Sequence, residues 1–480
     1  MKRWWKRLTA KAAESPALAS EMQQMAVVSD AAAIPSQRVV EQGLQNQPVA
    51  AFLQTVCEQI RTEKAHRSVR RELEGHIADL VEELMAEGVE RQEAERVAVA
   101  RMGDARDIGR QLNKVHKPVI EWGLIGIVAI MLGLGLFYMY VAELQNYVSQ
   151  SNLFGKQAVF AVIGLLLAAM IWWVDYRKLQ ALGEPCYVIA IGLLLLLQFT
   201  SPANGSKAFM DFSFISFNGA LLSLFLLVIS AAAMEPAREW TLRTAAIQLI
   251  LRLGVPSVLF MMTNTRALLV LYVAAFFAQV WFTRRSALQV TALITGSGLL
   301  ALPILFLTHT SVHRYLERLT AFLRPDDFGN YLQVNFQAVT EQAGWLGHGP
   351  VAMERSLPLL ESEGLFMLMI HTYGWLMGIG FAALVLTFIV RAAIIGSKVR
   401  DPFGKLLIAG LVSIMGLQFV WSILMSLGWA PFAGVSMPLV SYGGTSLLLH
   451  MLAIGLILSV AKQQRALSSE RSSSLVRKRA

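Results

Sequence analysis

The sequence predicts an all-α, polytopic membrane protein with about ten transmembrane helices and a small cytoplasmic helical N-terminal domain. Three observations carry this. Of 480 residues, 55% are hydrophobic and only 16% charged, with a mean hydropathy of +0.51, against roughly 45–50% and about 25% in soluble domains. Long apolar stretches follow one another after Pro118, and Lys and Arg gather in alternate connections between them. The net charge of +9 does not point to nucleic acid: residues 1–118 hold 18 basic and 17 acidic side chains, so the excess lies in the apolar part.

Residues 1–51 open with MKRWWKR, a basic, tryptophan-bearing start suited to an anionic membrane surface. No apolar core with a cleavage site follows, so no secretory signal is expected, and the scattered Ala, Ser, Gln and Pro read as a flexible tail. Residues 52–117 read as a small helical domain. Leu73, Ile77, Leu80, Val81 and Leu84 recur at steps of three and four and Gly88 suits the helix end. Ala94, Val97 and Ala98 mark a second helix ending near Gly103, and Asp104 caps a third with Ile108, Leu112 and Val115 on its face.

The membrane domain is expected over 118–462, with spans at 120–142, 157–174, 180–200, 214–234, 244–262, 266–283, 287–308, 364–390, 404–427 and 437–461. With the N-terminus inside, the cytoplasmic loops hold Arg177, Lys178, Arg238, Arg243, Arg284, Arg285, Arg391, Lys398, Arg400 and Lys405, and a basic tail follows at 463–480. Both termini are thus expected in the cytoplasm. Residues 309–363 form a long outer loop whose aromatic and apolar content suits amphipathic pieces at the outer face.

Two features could carry chemistry. Glu361 and Glu363 stand at the mouth of the eighth span, where ionised groups are costly and invite a functional reading, although hydrated, idle carboxylates in the headgroup region fit the spacing equally well. SMPLVSYGGTS, residues 436–446, enters the last span with a helix-breaking Pro438, paired Gly443 and Gly444, and the hydroxyls of Ser441, Tyr442, Thr445 and Ser446. A broken polar helix fits only against protein or a cavity. His309, His313, His348 and His371 form no metal-ligand pattern, and Cys57 and Cys186 suggest neither a disulfide nor a thiolate site. Arg314, Arg318, Arg324 and Arg355 could meet phosphates or headgroups.

PLVSYGGTS before the last span closely resembles the hallmark of the SEDS family (shape, elongation, division and sporulation proteins such as FtsW, RodA and SpoVE). The resemblance covers about residues 120–462: Asp175-Tyr176-Arg177 after the second span, a long loop with Arg318 and Pro325, GWLGHG where the family has GGLxGxG, and Gln418, Gly428, Pro431 and Gly434. RRELEGHIADLVEELMAEG followed by EAERVAVARMGDARDIGRQL resembles the helical prefix domain of bacterial permeases, a combination expected of a Gram-positive, spore-former-like accessory member.

The resemblance implies the SEDS fold and a peptidoglycan glycosyltransferase that polymerises lipid II at the outer membrane face with a class B penicillin-binding protein, a transpeptidase, among membrane lipids. Aligning Leu357-Pro358 with the family's LPxxHTDFIF-like segment puts Glu363 at the aspartate thought essential, so Glu363 is the implied catalytic base. Arg318, Arg355, Ser441, Tyr442, Gly443 and Gly444 are the implied substrate-binding residues. No cofactor or metal ligand set is expected, with a divalent cation compatible through substrate phosphates. Two motifs depart from the family: QPSExxK reads Ile215-Ser216-Phe217-Asn218-Gly219-Ala220-Leu221, and QPDxGT reads Met261-Met262-Thr263-Asn264-Thr265-Arg266, both without carboxylates. The rival expectations are a non-catalytic scaffold for a transpeptidase and, third, a lipid or solute transporter.

The basic-loop asymmetry predicts that a cysteine placed at Asn330 reacts with an impermeant thiol reagent in intact protoplasts while one at Ser397 is protected. The reverse labelling would overturn this orientation.

Overall fold

The computed structural model describes residues 47–60, 63–116, 121–145, 152–202, 205–212, 215–233, 244, 247–283, 331–349, 357 and 359–476. Contacts divide the chain into two compact units, Met1–Lys117 and Pro118–Ala480.

In the first unit the described residues form four helices: α1 (Gln47–Glu58), α2 (Glu63–Ala86), α3 (Arg91–Met102) and α4 (Ala105–His116). The tail expected over 1–51 gives way to helix at Gln47, because Val49, Phe52, Leu53 and Val56 share one helical face and bury against Val69, Leu73, Ile77 and Leu84 of α2. Ala94 and Ala98 of α3 are fully buried, their small size letting the helix pack close. Gly88 and Gly103 take φ of 90° and 92° in the connections. The Asp104 carboxylate accepts the Arg106 N–H at 2.9 Å, starting α4, whose Ile108 and Leu112 complete the core. The rest of the tail lies outside the described residues.

In the second unit, six described helices are long and apolar enough to cross a bilayer: Trp122–Leu144, Leu153–Trp173, Tyr176–Phe199, Leu365–Lys398, Pro402–Ser426 and Gly444–Gln464. Three shorter apolar helices, Gly219–Ala232, Leu249–Met262 and Arg266–Phe282, occupy the places expected for spans four to six, and the seventh, at 287–308, lies outside the described residues. We label the elements α5 (Trp122–Leu144), α6 (Leu153–Trp173), α7 (Gly183–Leu196), β1 (Phe209–Phe212), β2 (Ile215–Asn218), α8 (Gly219–Ala232), α9 (Val255–Met262), α10 (Arg266–Thr283), α11 (Tyr331–Gln342), α12 (Leu365–Lys398), α13 (Pro402–Ser426) and α14 (Gly444–Val476).

The fourth span does not begin at 214. Ile215 to Asn218 pair antiparallel with Phe209 to Phe212 as a hairpin, and α8 starts only where the Asn218 side chain accepts the Leu221 N–H at 2.9 Å. The last span likewise starts at Gly444 rather than 437: Pro438 lies in a turn ahead of the helix, where Leu439 takes φ 66°. At its far end α14 runs on to Val476 through the expected tail, since no Pro or Gly interrupts residues 462–476.

Asp175-Tyr176-Arg177 is a clamp. Asp175 caps a 3₁₀ turn, Tyr176–Leu182, by accepting the Arg177 N–H. The Tyr176 hydroxyl donates to Asp401 Oδ2 at 2.9 Å, and that same carboxylate accepts the Gly404 N–H at 2.8 Å to cap α13. A π-helical turn, Leu249–Gly254, carries the buried Arg252. Its guanidinium donates to Ser230 Oγ at 2.6 Å, to Gln248 Oε1 at 2.9 Å and to the Glu184 carboxylate, the pairing that a charge away from water requires.

α12 is broken at Gly374, which takes φ 74° and ψ −176°. A break at this point frees backbone groups that hydrocarbon cannot satisfy. GWLGHG, after α11, supplies the replacements: Trp375 N–H donates to the Gly344 carbonyl (3.0 Å) and Leu376 N–H to that of Trp345 (3.3 Å). In return His348 and Gly349 N–H donate to the carbonyls of His371 (3.0 Å) and Thr372 (2.9 Å). The strand of loop is spliced into the helix. Its approach leaves no space for a side chain, since a Cβ on Gly347 would lie 2.4 Å from the Gly374 nitrogen.

Gly347→Ala is therefore expected to lower the apparent melting temperature of the detergent-purified protein by the equivalent of about 2 kcal/mol or more, the cost of a side chain at positive φ added to the clash. Gly380→Ala, in the same helix with open space around it, is expected to leave it unchanged. Equal melting of both variants would show that the splice does not hold the helix.

Candidate active site

Glu363 sits two residues before α12 begins, at the end of a tight turn. Leu359 takes φ 64°, and its carbonyl accepts the N–H groups of Ser362 (3.3 Å), Glu363 (2.9 Å) and Gly364 (2.9 Å). Three donors converge on one oxygen, so the turn has little freedom.

The turn is also held from outside, by the segment that precedes α14. Ser441 Oγ donates to the Ser362 carbonyl at 2.5 Å and accepts the Met437 N–H at 3.0 Å, and the Tyr442 N–H donates to the Glu361 carbonyl at 2.8 Å. The two features that stood apart in the sequence form one site. Beneath them lies Gln157 of α6, only 1% exposed. Its Nε2 donates to the Ser441 carbonyl at 3.1 Å and its Oε1 accepts the Gly443 N–H at 3.4 Å.

The Glu363 carboxylate is asymmetric. Oε2 is buried with no hydrogen-bond partner, whereas Oε1 faces Gly434, an exposed residue at φ 64° whose added Cβ would come 3.5 Å from it. One oxygen is desolvated and the other lies beside a residue without a side chain. Burial first, and then the neighbouring Glu361 carboxylate, push the Glu363 pKa up to about 7. Burial and Glu361 also raise the Tyr442 phenol. Such a carboxyl exchanges its proton near neutrality, as a general base requires.

Of the implied substrate-binding residues, Ser441, Tyr442 and Gly443 meet at this site through the bonds above. Gly444 instead faces the Phe160 ring, which a Cβ would approach to 2.5 Å, so its lack of a side chain serves helix packing. Arg318 and Arg355 lie outside the described residues, as do Arg314 and Arg324. Gln157 was not among the residues singled out from the sequence. Its only signal there was a lone amide in the apolar run FGKQAVFAVIGLL. Gln418 bonds His450 Nε2 at 2.7 Å deep between α13 and α14.

The two departing motifs also meet each other. The Lys207 N–H donates to the Thr263 carbonyl (2.9 Å) and the Ala220 N–H to that of Ala208 (3.2 Å), joining the hairpin to both segments. Leu221 and Thr263 are buried there, and Thr263 Oγ1 is 2.7 Å from Thr265 Oγ1. The residues at the lost charged positions, Asn218, Leu221 and Thr263, are neutral.

The sequence profile of the FTSW_RODA_SPOVE family, described as cell cycle protein, matches residues 121–466. The chain belongs to this family. It is 24% identical over 384 residues to the probable peptidoglycan glycosyltransferase FtsW of Nitrosomonas europaea, covering 74% of this chain and 95% of the relative. It is 26% identical over 382 residues to a protein of the same description from Hydrogenovibrio crunogenus, covering 72% and 92%. The FTSW_RODA_SPOVE fold is shared with a chain from a structure described as "Structural coordination of polymerization and crosslinking by a peptidoglycan synthase complex" (TM-score 0.59, 24% identity, 72% of this chain and 98% of that one). It is shared too with the rod shape determining protein RodA of Thermus thermophilus (TM-score 0.55, 20% identity, 72% and 98%). Family membership and the apolar helices make this a multi-pass bacterial membrane protein.

Dicyclohexylcarbodiimide adds to protonated carboxyls in apolar surroundings. It is expected to label Glu363 in the purified protein at about pH 6 and to lose that labelling as pH rises through about 7. Because the folded value is raised, the protonated form is favoured by folding, and stability falls with rising pH up to that point. Glu361→Gln removes the like charge and is expected to move the loss of labelling to lower pH. Labelling already absent at about pH 6 would mean an ordinary, hydrated carboxylate.

Proposed function

We propose that this protein polymerises lipid II into glycan strands at the outer face of the cytoplasmic membrane, with both termini in the cytoplasm and a class B penicillin-binding protein as partner. The observation that carries the reading is the Glu363 carboxylate: one oxygen buried and unpartnered, the other facing Gly434, on a turn clamped by Ser441 and Tyr442. The relatives described as probable peptidoglycan glycosyltransferases support it.

In the reaction, the 4-hydroxyl of one lipid-linked disaccharide attacks the anomeric carbon of another. The new glycosidic bond forms as the bond to the lipid pyrophosphate breaks, and Glu363 takes the hydroxyl proton. A base in this role must come within hydrogen-bond reach of the hydroxyl in the bound complex. Arg318 and Arg355 are proposed to offset the charge of the departing pyrophosphate. A divalent cation, if used, enters with the substrate's phosphates; among the described residues no group of three or more His, Cys, Asp or Glu is placed to hold a metal.

A second reading, a non-catalytic member that holds a transpeptidase, is favoured by the neutral cluster at Asn218, Leu221 and Thr263. A lipid or solute transporter ranks third, without a supporting contact.

The test is purified protein with labelled lipid II, alone and with candidate class B partners. Wild type is expected to form glycan chains, Glu363→Gln to lose about 10²–10⁴-fold in rate, and Glu363→Asp to retain or raise it. Equal activity of wild type and Glu363→Gln removes the base assignment. Inert wild type and inert Glu363→Asp with every partner would make the scaffold the better reading.

A further inference from the structure

We infer that Gln157 is a positioning residue for the Glu363 site, fixing the carboxylate through two layers of backbone rather than by touching substrate. The inference rests on the reading of Glu363 as the base. Three observations converge on it.

First, the Gln157 amide is used from both ends on a single bend. It donates to the Ser441 carbonyl at 3.1 Å and accepts the Gly443 N–H at 3.4 Å. These groups lie in the non-helical segment just ahead of α14, where no helical partner serves the Ser441 carbonyl. A hydrophobic residue at 157 would strand both in an apolar environment, and each buried unsatisfied polar group costs about 1–3 kcal/mol.

Second, the bend that Gln157 holds is the one that holds the carboxylate turn. Ser441 passes the restraint on through its hydroxyl to the Ser362 carbonyl, and Tyr442 through its N–H to the Glu361 carbonyl. The path Gln157, Ser441 and Tyr442, Ser362 and Glu361, Glu363 is hydrogen-bonded at its first two links and covalent at its last.

Third, Gln157 belongs to α6, a helix that also packs on α14 and whose far end is tied to it by a second hydrogen bond, Ser459 Oγ donating to the Val174 carbonyl at 2.7 Å, with the Lys462 ammonium 4.5 Å from the Trp172 ring centroid. That second bond joins the same two elements but touches nothing near Glu363. It provides an internal control for helix packing.

Loosening the bend would let water reach Glu363 Oε2, which has no partner now, and would weaken its proximity to Glu361. Both effects lower the proton affinity of Glu363 and widen its positions, so the expected signature is lost turnover with substrate binding kept, together with a displaced pH profile.

The experiment compares full-length Gln157→Met, Gln157→Glu and Ser459→Ala with wild type, after each is checked for a monodisperse particle. Two readouts are taken: carbodiimide labelling of Glu363 against pH, which needs no turnover, and lipid II polymerisation. Gln157→Met is expected to move the loss of labelling to lower pH and to lower kcat about 10-fold or more with KM within about twofold. Gln157→Glu, which keeps the acceptor for Gly443, is expected to fall between, and it carries the test if Gln157→Met does not fold. Ser459→Ala is expected to melt earlier with its labelling profile and kcat unchanged.

A folded Gln157 variant with wild-type labelling and kcat overturns the inference, as does a Ser459→Ala profile displaced equally. If wild type proves inert toward lipid II, the catalytic reading fails separately: a displaced labelling profile in Gln157→Met alone then still establishes the positioning link, and an undisplaced one refutes it.

Discussion

A peptide group in hydrocarbon has no water to bond, and α12 is organised around two places where its own helix cannot provide the partner. At Gly374 the ladder is interrupted and GWLGHG is spliced in, four loop hydrogen bonds standing where the helix bonds of residues 375 and 376 would be. At its start, the 359–364 turn is closed on the Leu359 carbonyl and then bonded to the segment before α14. Irregular backbone is thus kept only where another irregular backbone matches it. The placement of Glu363 follows from the second match, and the direction of the helix behind it from the first.

This arrangement is strained, and the strain lies at the site. Leu359 and Leu439 both adopt positive φ, 64° and 66°, a conformation that costs a non-glycine residue about 1–2 kcal/mol. One lies in the carboxylate turn and the other in the bend that clamps it, two residues before Ser441. A conformation of that cost persists only when its surroundings over-determine it. Leu439 is 2% exposed and the chain on either side of both leucines is tied by the bonds to Ser362, Glu361 and Gln157. Glycine would relieve the φ cost at either position but would also free the backbone entropically, which is the wrong exchange for a carboxylate that must be held still.

What could be read from the sequence was what local pattern determines. Apolar length gave the six long helices and the places of three shorter ones, the three-and-four spacing gave α2 to α4, and the carboxylate pair and SMPLVSYGGTS were visible as anomalies in apolar surroundings. Their meeting was not visible, because Ser362 and Ser441 are 79 residues apart and nothing local encodes which turn faces which. Gln157 was lost for the same reason: a single amide in an apolar helix is ordinary until its partner, 284 residues away, is known. Two boundaries failed through local competition instead. Apolar Ile215 and Phe217 fit a span as well as a strand, and pairing with β1 decided it; Pro438 suggested a kink within a helix that in fact begins only at Gly444.

The departures from the family pattern weigh less than their number suggests. Asn218, Leu221 and Thr263 are joined through the 207–208 backbone into one neighbourhood. Leu221 and Thr263 are 3% and 0% exposed. A lone charge restored at Leu221 or Thr263 would be buried without its former partner, at a cost of several kcal/mol. A charged set there can therefore be kept whole or lost whole, and its absence counts as one change rather than three. The Glu363 turn is held by the Leu359 carbonyl and by Ser441 and Tyr442, none of which belongs to that set. The residue opposite Oε1, Gly434, has no side chain, and a Cβ added there would stand 3.5 Å from that oxygen. The bonds that hold Glu363 therefore do not call on a charged set at 218, 221 and 263, and the loss of that set does not by itself imply the loss of the carboxylate site.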